Sequence, residues 1–149
     1  MRTMRVDFYH LTVTPLERVL PKIADKVVSG GERLLVVSAQ EAQRDLLDQA
    51  LWAFSPESFL PHAQAGRGED SLQPILIGEG AEAANGASNI ALADGVWREE
   101  ALGFARTFHF FSEDEIAAAR TAWRQLGDVD GVERRYWKQN ERGGWDQAA

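Results

Sequence analysis

The segment MRVDFYHL (residues 4–11), with PLERVLPKIADKVVS (15–29) and RLLVVS (33–38) after it, decides the fold of this chain. The first run alternates apolar and polar residues, which predicts a β-strand. The second run has its apolar residues at helical spacing, follows Thr14 as a candidate helix cap, and stops at Gly30-Gly31, a helix-ending pair. The third run is short and apolar, as a strand buried on both faces must be. A strand, a helix and a strand in this order predict a right-handed βαβ unit within a parallel sheet.

The same patterns predict the elements of the rest of the chain. A helix is predicted from Glu41 to Trp52, and another from Ser112 to about Leu126, opened by a capping box of Ser112 and Glu115. Residues 127–149 read as a polar C-terminal extension with a short helix. Three strands and one helical turn complete the pattern: Pro74–Ile77, Asn89–Leu92 and Phe104–Phe111, with the turn at Trp97–Leu102.

These elements predict an α/β fold. We expect one domain over residues 1–149, with a central, mostly parallel sheet and helices on both of its faces, a Rossmann-like three-layer arrangement. Residues 63–73 contain glycine and charged residues without periodicity and are expected to form a surface loop.

Composition excludes several classes of protein. The 149 residues carry a formal net charge of −7, which argues against a general nucleic-acid binder and against a protein of anionic membrane surfaces. The sequence has no cysteine, which excludes disulfides, thiolate catalysis and cysteine-ligated metals. The N-terminus does not read as a signal peptide, and no apolar run approaches the roughly 20 residues of a membrane helix. We expect a cytoplasmic protein.

One short motif suggests a nucleotide site. Gly78 to Ala83 reads G-x-G-x-x-A after a predicted strand. Such a loop binds a dinucleotide only when it opens a helix whose amides meet the pyrophosphate. Here Glu79 and Glu82 would face the phosphates, and the turn pair Asn85-Gly86 cuts a helix short. A surface loop is the favoured interpretation, and a small nucleotide-binding α/β enzyme is the alternative.

No catalytic or metal-binding constellation is visible. His10, His62 and His109 lie far apart in the sequence, and no two of them are at helical spacing. A structural or surface role is favoured for all three. No G-x-S-x-G elbow is present, and the carboxylates form no E-x-x-H group. We expect no cofactor, no metal and no active site.

The last predicted helix has a basic and aromatic side. Arg120 and Arg124 lie one turn apart beside Trp123, on a segment that is slightly basic within an acidic chain. Two guanidinium forks and an indole suit a chain-terminal carboxylate with an aromatic residue next to it. The alternative is an ordinary amphipathic helix with Trp123 in the core and both arginines in solvent.

The stretch LWAFSPESFLPH (51–62) forms an aromatic and proline-rich corner where the second helix stops. Trp52 and Phe59 are separated there by Pro56, and Pro61 follows. Large aromatic side chains on a rigid corner are good anchors for a protein partner. Core packing of a helix end is the alternative.

These motifs together resemble the chi subunit family of bacterial DNA polymerase III holoenzyme. The resemblance covers most of the chain, and the LW-x5-SF-x-PH pattern is its most specific part. It also includes four shorter motifs: FYHL (8–11), GGERLLVVS (30–38), AR-x-x-WR (119–124) and a tryptophan near the C-terminus.

The resemblance implies a non-catalytic clamp-loader accessory subunit. Members of this family pair with the psi subunit and bind the acidic C-terminal tail of single-stranded DNA-binding protein. By position, Trp52, Phe59 and Pro61 match the corner used against psi. The tail-binding positions are Arg120, Trp123 and Arg124.

Two features depart from the family pattern. The acidic run Glu113 to Glu115 stands where basic residues are expected before Arg120, and the segment after Gly127 is longer. We expect no direct sequence-specific nucleic-acid binding, no membrane partner, and a monomer when the chain is alone. A third hypothesis is a plain α/β scaffold with all its aromatic residues buried.

Overall fold

The computed structural model describes residues 3–54 and 60–149. Within them the strands form one eight-stranded sheet in the order β3-β4-β2-β5-β6-β1-β7-β8. Every pair is parallel except β7 with β8. The α/β prediction is thus confirmed. The strands are β1 Met4–His10, β2 Leu34–Val37, β3 His62–Gln64, β4 Ile75–Gly78, β5 Asn89–Leu92, β6 Arg106–Phe111, β7 Val132–Gln139 and β8 Trp145–Gln147.

In the part of the chain that the structure describes, three α-helices cover the two faces of this sheet. They are α1 Leu16–Ser29, α2 Glu41–Ala53 and α3 Ile116–Leu126. Helices α1 and α2 pack together on one face, over alternate residues of the central strands such as Val36 and Ile77. Helix α3 covers Val6 and Phe8 of β1 on the other face. Single 3-10 turns occupy Asp70–Leu72, Glu99–Gly103 and Glu113–Glu115.

The helix boundaries follow the sequence closely, with one local difference. Pro15 is the residue before α1 and no side chain caps that helix, whereas the sequence suggested Thr14 as the cap. At the other end of the chain the predicted capping box is present. The backbone N–H of Ser112 donates to a carboxylate oxygen of Glu115 at 2.9 Å.

The C-terminal segment is where the structure corrects the sequence-based prediction. A short helix was expected there, but β7 pairs with β1 along its whole length and β8 turns back against β7. In VERRYWKQ alternate residues point to opposite faces: Tyr136 packs under α3, and Trp137 lies on the α1 face. The alternation is hard to recognise in the sequence, because most of β7 is only half-buried and both of its faces carry charged residues.

Gln139 ties the end of β7 to the start of α1. Its side-chain oxygen accepts the backbone N–H groups of Val13 and Thr14, both at 2.9 Å, and that of Thr12 at 3.3 Å. Its amide nitrogen donates to the carbonyl oxygen of Gly143 in the β7–β8 turn. Gln139 is 3% exposed, so one buried carboxamide joins two distant elements.

The predicted surface loop at 63–73 contains part of β3, which the sequence analysis missed. Residues His62 to Gln64 pair in parallel with Ile75 to Ile77 at the edge of the sheet. A strand of three residues has too little alternation to be detected from its sequence. Within the described residues, no helix is long and apolar enough to cross a bilayer.

Candidate functional site: two protein-binding surfaces

Helix α3 is held on the sheet by small side chains. Ala119, Ala122 and Leu126 are buried against β1 and β6. Because alanines let the helix lie close to the sheet, the larger residues on its flank stand beside the strands rather than beneath the helix. Trp123 is one of these flanking residues and is half-buried.

The indole of Trp123 has a defined orientation. It meets the rings of Phe8 and Tyr136 edge to face, with centroid distances of 5.4 and 5.8 Å. The guanidinium of Arg134 lies 4.3 Å from the centre of the indole ring and also donates to the Trp123 carbonyl oxygen. The ring is therefore fixed by its neighbours but is not sealed in the core.

Arg120 and Arg124 project from the exposed side of α3. Arg124 donates a hydrogen bond to the Thr121 hydroxyl at 3.4 Å, and within the described residues neither guanidinium forms an ion pair. Burial raises the pKa of Tyr136, and the nearby charge of Arg120 opposes that rise. The structure thus brings Arg120, Trp123 and Arg124 together on one surface with both guanidinium forks open, which suits an incoming carboxylate.

The second predicted surface lies at the end of α2. Trp52 is 56% exposed, and its ring centre lies 4.6 Å from that of His62. His62 is buried and fixed: Nδ1 lies 2.7 Å from the Leu60 carbonyl oxygen, and Nε2 lies 3.2 Å from Oδ1 of Asp48. The exposed indole of Trp52 therefore packs against a buried imidazole whose position is fixed by these contacts.

The other two residues of the predicted corner are placed differently. Pro61 is half-buried next to His62. Phe59 lies outside the described residues, so its predicted place beside Trp52 on the partner-binding corner stays a prediction. Helix α2 lies on the face opposite α3, toward the β3 edge of the sheet. The two surfaces therefore do not share residues or a sheet face.

Comparison with known proteins identifies the family. Residues 3–132 match the family model described as DNA polymerase III chi subunit, HolC. The chain belongs to this chi family. It is similar to the DNA polymerase III subunit chi of Pseudomonas aeruginosa, with 39% identity over 79 residues that cover 51% of this chain and 54% of that protein. It is also similar to the subunit chi of Escherichia coli K12, with 37% identity over 65 residues, 44% of each. The matched segments thus span about half the length of these curated relatives.

The chi-family match leaves out almost all of the C-terminal strands β7 and β8. The match ends at residue 132, where β7 begins. Arg134 and Tyr136, which position the indole of Trp123, lie beyond it and were not among the predicted site residues. The sequence feature that could have indicated them is the i, i+2 spacing of Arg134 and Tyr136, which places both side chains on the same face of a strand.

The loop after β4 does not have the form of a dinucleotide site. Gly78 ends β4, and the fully described segment from residue 79 to 88 contains turns but no helix. A pyrophosphate would find no helix N-terminus there. Among the described residues, no cluster of three histidine or carboxylate side chains could hold a metal ion.

Two polar groups near β6 are structural. His109 is fully buried among Phe8, Trp97 and Phe111, and burial lowers the pKa of its ring to about 4. Asp94 forms a two-pronged pair with Arg98, with N–O distances of 2.8 and 2.9 Å. Burial alone would raise the Asp94 pKa, but Arg98 and two backbone amides together lower it.

Proposed function

We propose that this chain is a non-catalytic accessory subunit of a DNA polymerase III assembly, active in the cytoplasm, that joins two other proteins. In this proposal Trp52, Phe59 and Pro61 bind the psi subunit. Arg120, Trp123 and Arg124 bind the acidic C-terminal tail of single-stranded DNA-binding protein. Membership of the chi family supports the assembly, and the arrangement of α3 supports the second contact.

The observation that carries the proposal is the open pair of guanidiniums beside a fixed indole. Arg120 and Arg124 have no acidic partner among the described residues, although the chain as a whole is acidic. A carboxylate that arrives from another chain can therefore be bound without first breaking an internal ion pair. Trp123 and Tyr136 offer an apolar wall to an aromatic residue of the same ligand.

A peptide titration tests this contact. The ligand is a peptide that ends in acidic residues, proline and phenylalanine, and binding is measured by calorimetry. Arg120→Ala should weaken binding by about 1.5–3 kcal/mol, because it removes a charge-assisted hydrogen bond to a carboxylate. The fold should be retained, since Arg120 is exposed. Raising the salt concentration should also weaken binding.

The matched control is Arg67→Ala, which removes one exposed arginine from the loop after β3. This variant should keep the affinity of the unchanged protein. Equal losses of peptide affinity in Arg67→Ala and Arg120→Ala would show that binding responds only to the net charge of the protein. Unchanged affinity in Arg120→Ala would remove Arg120 from the binding surface.

A further inference from the structure

A second basic surface lies on the face of the sheet opposite α3. Two adjoining cavities of about 250 and 170 Å³ run along one flank of α1 and share Tyr9, Ile23 and Lys26 in their walls. We call this continuous groove the α1 trough. It extends from the β7–β8 turn at Gly143 to the start of β5 at Asn89.

The charge of the α1 trough is opposite to that of the whole chain. Its lining includes four cationic side chains and a single carboxylate, that of Glu32, on a protein of net charge −7. Within residues 3–54 and 60–149, the three cations contributed by α1 form no ion pair. The four cations are Arg18, Lys22, Lys26 and Arg106.

The cations from α1 stand in a regular row. Arg18, Lys22 and Lys26 follow one another at i, i+4 and i+8, so each lies one turn, about 6 Å, beyond the last. All three are exposed on the flank of α1 that faces the C-terminal hairpin. Such a row matches a ligand that carries negative charge at regular intervals along an extended chain.

Arg106 completes the row from the floor of the α1 trough. Its guanidinium lies 4.3 Å from the centre of the Phe108 ring, and its Nε is 3.2 Å from the fully buried carboxylate of Asp7. The Trp137 indole N–H donates to the other oxygen of Asp7 at 3.0 Å. Asp7 thus holds Arg106 in a fixed orientation and leaves part of its guanidinium exposed.

An aromatic ring closes one end of the α1 trough. Trp145 of β8 meets the ring of Tyr9 edge to face at 5.1 Å and is half-buried, so part of the indole is open to the groove. Stacking of bases on such rings, next to cations that follow the backbone, is how proteins bind single-stranded nucleic acid without reading its sequence.

We propose that the α1 trough binds the backbone of single-stranded nucleic acid, with Arg18, Lys22, Lys26 and Arg106 at the phosphates and Trp145 against a base. An acidic peptide is less well suited, because its carboxylates are best met by convergent forks such as Arg120 and Arg124. The surface is separate from α3, so this binding does not depend on the function proposed above.

The test uses the full-length chain and a labelled single-stranded oligonucleotide of mixed sequence, about 15 nucleotides long, in fluorescence anisotropy at low salt. Binding should weaken with salt, with about 0.7 of logarithmic slope for each phosphate contact. Lys22→Ala should remove one such contact, so its affinity should fall about fivefold near 0.1 M salt. Replacing Arg18, Lys22 and Lys26 together by alanine should lower it about a hundredfold.

Two variants serve as matched controls. Arg67→Ala removes one exposed positive charge outside the α1 trough and should leave oligonucleotide affinity nearly unchanged. Arg120→Ala should do the same while its affinity for the acidic peptide falls, whereas Lys22→Ala should keep the peptide affinity unchanged. Trp145→Phe should retain most of the binding, and Trp145→Ala should lose about tenfold if it still folds, because stacking needs a ring.

Three results would overturn the proposal. The first is an unchanged chain that does not bind the oligonucleotide at low salt. The second is an equal loss of affinity in Lys22→Ala and Arg67→Ala, which would show a response to net charge only. The third is an acidic peptide of equal charge that displaces the oligonucleotide and binds more tightly, which would make the α1 trough a peptide site.

Discussion

At the scale of single residues, His109 is the most unusual side chain of this protein. It is fully buried in the middle of β6, and neither of its ring nitrogens has a hydrogen-bond partner among the described residues. Its neighbours Phe8, Trp97 and Phe111 offer only aromatic contacts. The ring is therefore held neutral in the folded protein near neutral pH, because burial disfavours the charged ring more strongly than the nearby Asp94 carboxylate favours it.

Acid should destabilise the fold through this histidine. Its folded pKa of about 4 lies below the usual value of 6.5, so the unfolded chain takes up the proton first. The stability that the neutral ring contributes is complete above about pH 6.5 and is lost as the pH falls toward 4. The resulting decrease in the free energy of unfolding is up to about 3 kcal/mol. In urea unfolding at several pH values, His109→Leu should show a flatter loss of stability over this range.

The Asp94–Arg98 pair provides a control for this pH range. Because the Asp94 pKa is lowered, its contribution to stability is lost only below the usual range of a carboxyl group. Asp94→Asn should therefore leave the slope between pH 6.5 and 4.5 unchanged. An identical slope in His109→Leu and in the unchanged protein would assign the acid sensitivity to other groups.

At the scale of elements, the C-terminal hairpin depends on Gln139. Gln139→Ala should lower the free energy of unfolding by about 1–3 kcal/mol, because the N–H groups of Thr12, Val13 and Thr14 lose their acceptor. Urea denaturation measures this loss. Lys138→Ala, an exposed change on the same strand, should cost little. If both variants were equally stable, the link between β7 and α1 would add nothing to the fold.

The sequence predicted the elements whose periodicity is strong. Strands β1, β2, β4, β5 and β6 and helices α1, α2 and α3 were found because their apolar residues keep one period and their ends carry turn or cap residues. Strands β3, β7 and β8 were missed. The first and last have three residues each, and β7 has charged residues on both faces because it lies near the edge of the sheet.

The candidate surfaces were predictable only in part. Arg120, Trp123 and Arg124 are close in sequence, so helical spacing was enough to group them. Arg134 joins Trp123 through the pairing of β7 with β1, a contact between distant parts of the chain that no local pattern indicates. The α1 trough was missed for the same reason, since Trp145 and Arg106 reach α1 only through the sheet.

At the scale of the whole molecule, the sheet separates the proposed partners. Trp52 lies on the α1–α2 side near the β3 edge, whereas Arg120 and Trp123 lie on the α3 side, over β1 and β7. The eight strands between them are a rigid layer with no visible hinge in the described residues. We therefore expect a protein bound at one surface to leave the other surface unchanged.

This separation predicts independent binding. The affinity for the acidic peptide should be the same with and without a saturating psi polypeptide, and the coupling free energy should be near zero. Trp52→Ala should weaken psi binding by about 2 kcal/mol or more, as loss of an aromatic anchor does, and should leave peptide affinity intact. Arg120→Ala should give the reverse pattern. A peptide affinity that changes severalfold when psi is added would contradict the rigid-layer view.

The carboxamide of Gln139 has a consequence for how such an architecture can be used. In doubly wound proteins the mouth between the first strand and its helix is where phosphates are commonly received. In this protein the backbone N–H groups of the loop after β1 already donate to the side-chain oxygen of Gln139. A phosphate could bind there only by displacing the Gln139 carboxamide, which is uncharged and belongs to the same chain. These three N–H groups are therefore unavailable to a phosphate for as long as Gln139 keeps its position.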